Sequence, residues 1–197
     1  CSYLQKKYKI ENATMFSLHQ GCGSTLISMG LARKLLDNNN KYMLIISSCF
    51  APSFEGRFIG TTVVGDALGL MVISHQNSKF EIVDSISVSD GQISFDAYNG
   101  IEFKPDVVSV VVKGVGVIKQ LISRNGLTMK DIQHVIPQSI NYQKYSGLYA
   151  KMLGIKSEQM FLDNIAKGGH LGDVDIMRNF HDYFGSNALL KDKYYLL

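Results

Sequence analysis

Residues 13–35 change their hydrophobic period at one tight turn, and that change constrains the fold more than any other feature of the chain. "ATMFSLHQ" (13–20) predicts a short strand, and Gly21, Cys22 and Gly23 follow it. Leu26, Ile27, Gly30, Leu31 and Leu35 then recur at helical spacing up to the polar stop "DNNN". The same alternation continues along the chain. "KYMLIISSC" (41–49) and "LGLMVIS" (68–74) are apolar runs of strand length, and both predict central strands buried on two faces. The turn "VVGD" precedes the second of them, and a more polar strand is expected near 80–95. Val108, Val111, Val112, Val115, Ile118 and Ile122 mark a helix over 106–125 that stops at "RNG". "LTMKDIQHVIPQ" predicts a turn and a strand ending at Pro137. Helices follow over 142–153 and 174–184, and "KDKYYLL" closes the chain as an apolar strand. Strands alternating with helices indicate an α/β layered sheet. "CSYLQKKYKI" (1–10) reads as a helix already under way, as expected of a chain that begins inside a larger fold.

Composition narrows the possible functions. The chain has 197 residues, 46% of them apolar, enough to bury a sizeable core. No apolar run approaches the roughly 20 residues that span a bilayer, and residues 1–20 lack a signal-peptide pattern, so a cytoplasmic protein without a membrane partner is expected. The net charge of +3 comes from scattered lysines, without the basic stripe that a nucleic-acid groove needs. Cys1, Cys22 and Cys49 are odd in number and lack CxxC spacing, which argues against a disulfide framework and against a zinc site.

Cys22 is the first candidate for chemistry. Unpaired amides and the positive end of the macrodipole at a helix start favour a thiolate, and flanking glycines let a substrate approach the backbone. The other reading is a buried cysteine filling the corner between strand and helix. His19, His75, His134 and His181 lie in strand-like runs or near element ends and read as structural. His170 follows Gly168 and Gly169 at a loop-to-helix junction from which a side chain can project into a site. "IPQSIN" presents Gln138 and Asn141, two amides able to donate and accept hydrogen bonds, although Asn141 can equally cap the next helix.

In order, the pieces are strand, Gly-Cys-Gly, helix, strand, "GD" turn and strand, long helix, "IPQSIN", helix and "GHLGD". This order resembles the thiolase superfamily, and within it the beta-ketoacyl-acyl carrier protein synthase III family, over nearly the whole chain. "LQKKYKIENATMFSLHQGCGS" is similar to the family's nucleophile segment, which puts Cys22 at the acylated cysteine. "VVGDALGLMVIS" is similar to its Gly-Asp-Gly-Ala motif, with Ala67 where glycine is usual. "LTMKDIQHVIPQSIN" is similar to the segment ending Pro-His-Gln-Ala-Asn. It puts Gln138 at the catalytic histidine position and Asn141 at the asparagine that contacts pantetheine. "GGHLGDVDIM" lies on the Gly-Asn-Thr-Ser segment and puts His170 at the catalytic asparagine position, with Gly169 beside it as substrate-binding. A second alignment puts Asn164 there instead.

The resemblance implies a thiolase-like αβαβα fold with mixed five-stranded sheets, here without an N-terminal part and the last strand. Residues 1–79 would be the remainder of the N-terminal half and 80–197 the C-terminal half. It further implies an acyltransferase of fatty-acid, polyketide or specialised metabolism. An acyl group would pass from a coenzyme A or acyl carrier protein thioester to Cys22, at the end of a narrow tunnel, and then to an acceptor by carbon–carbon condensation or by ester or amide formation. No permanently bound cofactor and no metal is expected; the acyl-CoA or phosphopantetheine-carrier thioester is a substrate. The partners implied are acyl carrier protein or coenzyme A and a second chain, in a homodimer or heterodimer built on edge strand 13–20. Gln138 in place of histidine cannot exchange a proton near neutral pH, so malonyl condensation is disfavoured and His170 inherits the acid-base work. The alternative is a non-catalytic partner subunit of a condensing enzyme.

Overall fold

The structure is a computed structural model that describes residues 2–51, 53–59, 62–76, 78–89, 107–140, 146–187, 190 and 192–197. Helices α1 (Ser2–Tyr8) and α2 (Ser24–Leu35) come first, then β1 (Tyr42–Cys49), a hairpin of β2 (Phe58–Ile59) and β3 (Thr62–Val63), and β4 (Ala67–Ser74). The second half carries α3 (Val107–Arg124), β5 (Ile132–Val135), α4 (Ser146–Leu153), the short α5 (Ile165–Gly168), α6 (Val174–Ser186) and β6 (Tyr194–Leu196). The alternation of strands and helices expected from the sequence is present. The hairpin β2–β3 was not anticipated, because two-residue strands are too short to show a period.

β1 and β4 pair antiparallel over their full length, with Tyr42 opposite Ser74 and Cys49 opposite Ala67. β5 and β6 pair parallel, so both strand directions occur. Among the described residues the ladders are two-stranded, and the five-strand count is not reached. One face of β1–β4 carries Met43, Ile45, Met71 and Ile73 and packs against Met29 of α2 and Ile176 and Met177 of α6. α6 lies directly on β4 because Gly69 has no side chain. A Cβ there would stand 2.7 Å from Met177 Sδ and 2.9 Å from Val174 Cγ1. A second core joins Ile122 of α3, Ile132 and Val135 of β5, Ala150 of α4, Met160 and Leu196.

Three expectations are corrected. β1 and β4 are not buried on both faces: Leu44, Ile46, Leu68, Leu70 and Val72 point outward, with Leu68 63% and Val72 67% exposed. Among the described residues the covering helices pack on the inner face only, so a continuous apolar run here does not imply two-sided burial. Residues 13–19 are not a strand. Six of the eight side chains of 13–20 are exposed, so no buried face fixes their alternation in a ladder. The edge strand on which a dimer was expected is therefore not formed. Residues 78–89 also form no strand. There the chain is held by side chains from the end of α3: Arg124 Nε and Asn125 Nδ2 donate to Asp84 at 2.6 and 2.8 Å. Arg124 first, with Asn125, holds the Asp84 carboxyl far below the usual carboxylate range. The rest of the expected strand lies outside the described residues, as do the first residues of the expected helix 142–153.

Candidate active site

The turn before α2 is built from backbone and one hydroxyl. Gly21 has φ +53°, and its carbonyl accepts from Ser24 Oγ at 2.8 Å, while the Gln20 amide donates to the same hydroxyl at 3.0 Å. Gly23 is the N-cap, so Cys22 stands one residue outside the helix. Asp173 ties this turn to the distant loop before α6: its Oδ1 accepts from the Thr25 amide of the first turn at 3.3 Å. A carboxylate at that position satisfies an amide left unpaired by helix geometry.

His170 is placed by the strand it crosses. Its amide donates to the Val63 carbonyl at 2.8 Å and its carbonyl accepts from the Gly65 amide at 2.9 Å, a one-residue parallel bridge beside β3. Gly169 makes this possible. It has φ +65°, and a Cβ on it would stand 2.2 Å from the Val63 oxygen, so the backbone approach that seats His170 needs a glycine. The position expected to bind substrate thus holds the loop against the hairpin.

These constraints bring together residues 148 positions apart. Cys22 Sγ lies 3.1 Å from His170 Nε2, and His170 Nδ1 lies 2.5 Å from Asp175 Oδ2. His170 is 4% exposed and Asp175 0%. Besides His170, the Asp175 carboxylate accepts from the Ser139 amide at 2.7 Å and the Leu171 amide at 2.8 Å. With these contacts the carboxylate fixes the ring and stabilises a proton on it. Burial pulls the imidazole pKa down, but the hydrogen bonds to Asp175 and Cys22, together with their charges, outweigh it and push the value up to about 9.

Ser139 Oγ and Asn179 share a hydrogen bond, and Asn179 Nδ2 donates to the Pro137 carbonyl at 2.7 Å, which fastens the segment carrying Gln138 to α6. Gln138 Nε2 donates to the backbone carbonyl of Cys22. The expected trio of Cys22, Gln138 and His170 therefore meets, but Gln138 grips the nucleophile turn by its backbone. Asn164, the second candidate for the asparagine position, is buried and donates to Asn179 and Asp182, both at 2.9 Å, so it belongs to the network behind the site. Asn141 lies outside the described residues. Asp175 and Asp173 were missed, because acidic residues at a helix start read as ordinary macrodipole partners.

Cys22 is exposed, which corrects both the buried-corner reading and the expected narrow tunnel. Cys49 differs: burial, with the field of Cys22 next, pushes its thiol pKa up and keeps it protonated. Among the described residues no group of three or more His, Cys, Asp or Glu side chains could hold a metal ion, and no helix is long and apolar enough to cross a membrane.

Comparison with solved structures gives the architecture. Over 98% of this chain and 65% of that one, it superposes on the 3-oxoacyl-[acyl-carrier-protein] synthase III of Aquifex aeolicus VF5 with a TM-score of 0.77 and 17% identity. The chain has a thiolase-like fold. The acyltransferase ChlB3 matches over the same shares with a TM-score of 0.70 and 16% identity. Cerulenin-bound OleA of Xanthomonas campestris matches over 98% of this chain and 64% of its own, with a TM-score of 0.68 and 12% identity. The chain thus spans about 65% of the length of the thiolase-like structures it matches. No protein-family model and no curated protein sequence matches it.

Proposed function

We propose that the protein is an acyltransferase in which Cys22 takes an acyl group from a coenzyme A or carrier-protein thioester and passes it to an acceptor. One observation carries this reading: the contact of Cys22 Sγ with His170 Nε2 at 3.1 Å, backed by His170 Nδ1 on the buried Asp175. It is the thiol–imidazole–carboxylate arrangement that nucleophilic acyl transfer uses, recognised by geometry and not by residue order. Similarity of fold to synthase III and ChlB3 supports the thioester as donor.

The proton moves within this set. The Cys22 thiolate attacks the thioester carbon, and the tetrahedral adduct collapses as the donor thiolate leaves with the proton from His170. The acyl group remains on sulfur beside a neutral imidazole. A non-catalytic partner subunit has no use for a thiol held against a buried imidazole–carboxylate pair, and the geometry disfavours that alternative.

Intact-protein mass spectrometry after incubation with acetyl-CoA or an acyl-carrier protein tests the proposal. The wild type should gain one acyl mass, and Cys22→Ala should gain none while keeping its fold, since the side chain is exposed. An equal adduct on the alanine variant would assign the acyl group to another residue.

A further inference from the structure

The acceptor is set by which nitrogen of His170 holds the proton. Asp175 is acceptor-only, and its Oδ2 lies 2.5 Å from Nδ1, so Nδ1 carries the hydrogen. When the ring is neutral, Nε2 therefore presents a lone pair at the sulfur, 3.1 Å away. A decarboxylating malonyl partner delivers an enolate. Its oxygen needs hydrogen-bond donors, and its carbon brings no proton to remove. In the acyl-enzyme the ring left neutral by release of the donor thiol cannot donate from Nε2, and Gln138 commits an N–H to the Cys22 carbonyl. An alcohol, amine or thiol needs the opposite: a base beside the acyl carbon that accepts its proton as it attacks.

We propose, resting on acylation of Cys22, that the acceptor is a protic heteroatom nucleophile, an alcohol, amine or thiol, deprotonated by His170, and that the site does not form carbon–carbon bonds from malonyl thioesters. The step balances. The acceptor X–H loses its proton to Nε2, the X–C bond forms, the C–Sγ bond breaks, and Cys22 leaves as thiolate beside the imidazolium, which restores the starting pair. Asp175 is the positioning residue that selects the tautomer.

The test is single-turnover kinetics on protein first loaded at Cys22 with acetyl from acetyl-CoA. Loaded protein is mixed with N-acetylcysteamine, ethanolamine or malonyl-CoA, and the loss of the adduct and the products are followed by mass. Transfer to the thiol or the amino alcohol should exceed adduct hydrolysis, and His170→Asn should slow it roughly 10²-fold or more. Asp175→Asn turns the partner of Nδ1 into a donor and leaves the hydrogen on Nε2. It should cut heteroatom transfer by about 10²-fold or more and change its pH profile, with circular dichroism confirming the fold. Acetoacetyl-CoA formed from malonyl-CoA by the wild type, with no heteroatom transfer above hydrolysis, would overturn the inference while leaving acylation standing. Failure of Cys22 to load at all would overturn both. Unchanged transfer in folded Asp175→Asn would show that the tautomer does not choose the acceptor.

Discussion

The buried imidazole makes folding stability depend on pH in a window that no other shifted group in the described structure shares. His170 has a folded-state pKa of about 9 against an ordinary 6.5, so the folded protein holds a proton that the unfolded chain releases. A raised folded-state value stabilises fully below the unfolded pKa, and that contribution is lost as pH rises through the folded one. At about 1.4 kcal/mol per tenfold in proton affinity, the loss is on the order of 3 kcal/mol between pH 6.5 and 9. Cys49, Tyr149 and Tyr183 are also shifted upward, but from ordinary values of 9 and 10, so their losses begin where that of His170 ends. The lowered carboxylates Asp37, Glu55, Asp66, Asp84 and Asp131 act only in acid. Urea unfolding at pH 6, 7, 8 and 9 should show wild-type stability falling through this range. His170→Asn should be less stable at pH 6 and should close most of the gap by pH 9. Cys22→Ala, which removes one of the two groups that raise the imidazole, should show a shallower fall. Parallel curves for wild type and His170→Asn across pH 6.5–9 would refute the assignment of a protonated, carboxylate-held imidazole.

Three further outcomes follow from the packing. Asp175→Ala strands His170 Nδ1 and the amides of Ser139 and Leu171 without their acceptor, so it should cost about 3–5 kcal/mol in urea unfolding at pH 7; a loss below about 1 kcal/mol would mean that water replaces the carboxylate. Gly169→Ala places a methyl against the Val63 oxygen at a positive φ and should lower both stability and acyl loading, since the same backbone approach seats His170. Gly116→Ala, on an open face of α3, should instead stabilise by about 0.5–1 kcal/mol, and the opposite sign in thermal melts would count against the open face.

Period and punctuation made the helices legible. α2, α3 and α6 lie within two residues of their expected ends, because each combines an apolar stripe with a polar or glycine stop. Strand identity was also legible for β1, β4, β5 and β6. Their surroundings were not. Whether "LGLMVIS" is covered on one face or two depends on what packs against it, and Leu68, Leu70 and Val72 look the same in sequence either way. Residues 13–20 failed for the related reason that alternation becomes a strand only when a neighbour supplies a ladder and a core supplies a side to hide.

The site divides along the same line. Cys22 and His170 stood out because glycines mark places where backbone passes close to something, and both residues sit beside such glycines. Asp175 did not stand out, although it is the most buried member of the site. In "GHLGDVDIM" two aspartates flank the start of a helix, where acidic residues are favoured whatever the function. The fold gives them different tasks. Asp173 reaches across to the first turn of α2 and holds the thiol's turn, whereas Asp175 turns inward to Nδ1 of His170. One loop-to-helix junction therefore positions both reacting groups, the sulfur through Asp173 and the imidazole through Asp175. This separation predicts different failures. Asp173→Asn should loosen the nucleophile turn and slow acyl loading while leaving the pH dependence of stability in place, because the His170–Asp175 pair is untouched. Asp175→Asn should flatten most of that pH dependence, because it removes the larger of the two groups that raise the imidazole. If both variants flattened the stability curve alike, the two carboxylates would have to act as one network and the assignment of separate tasks would fail.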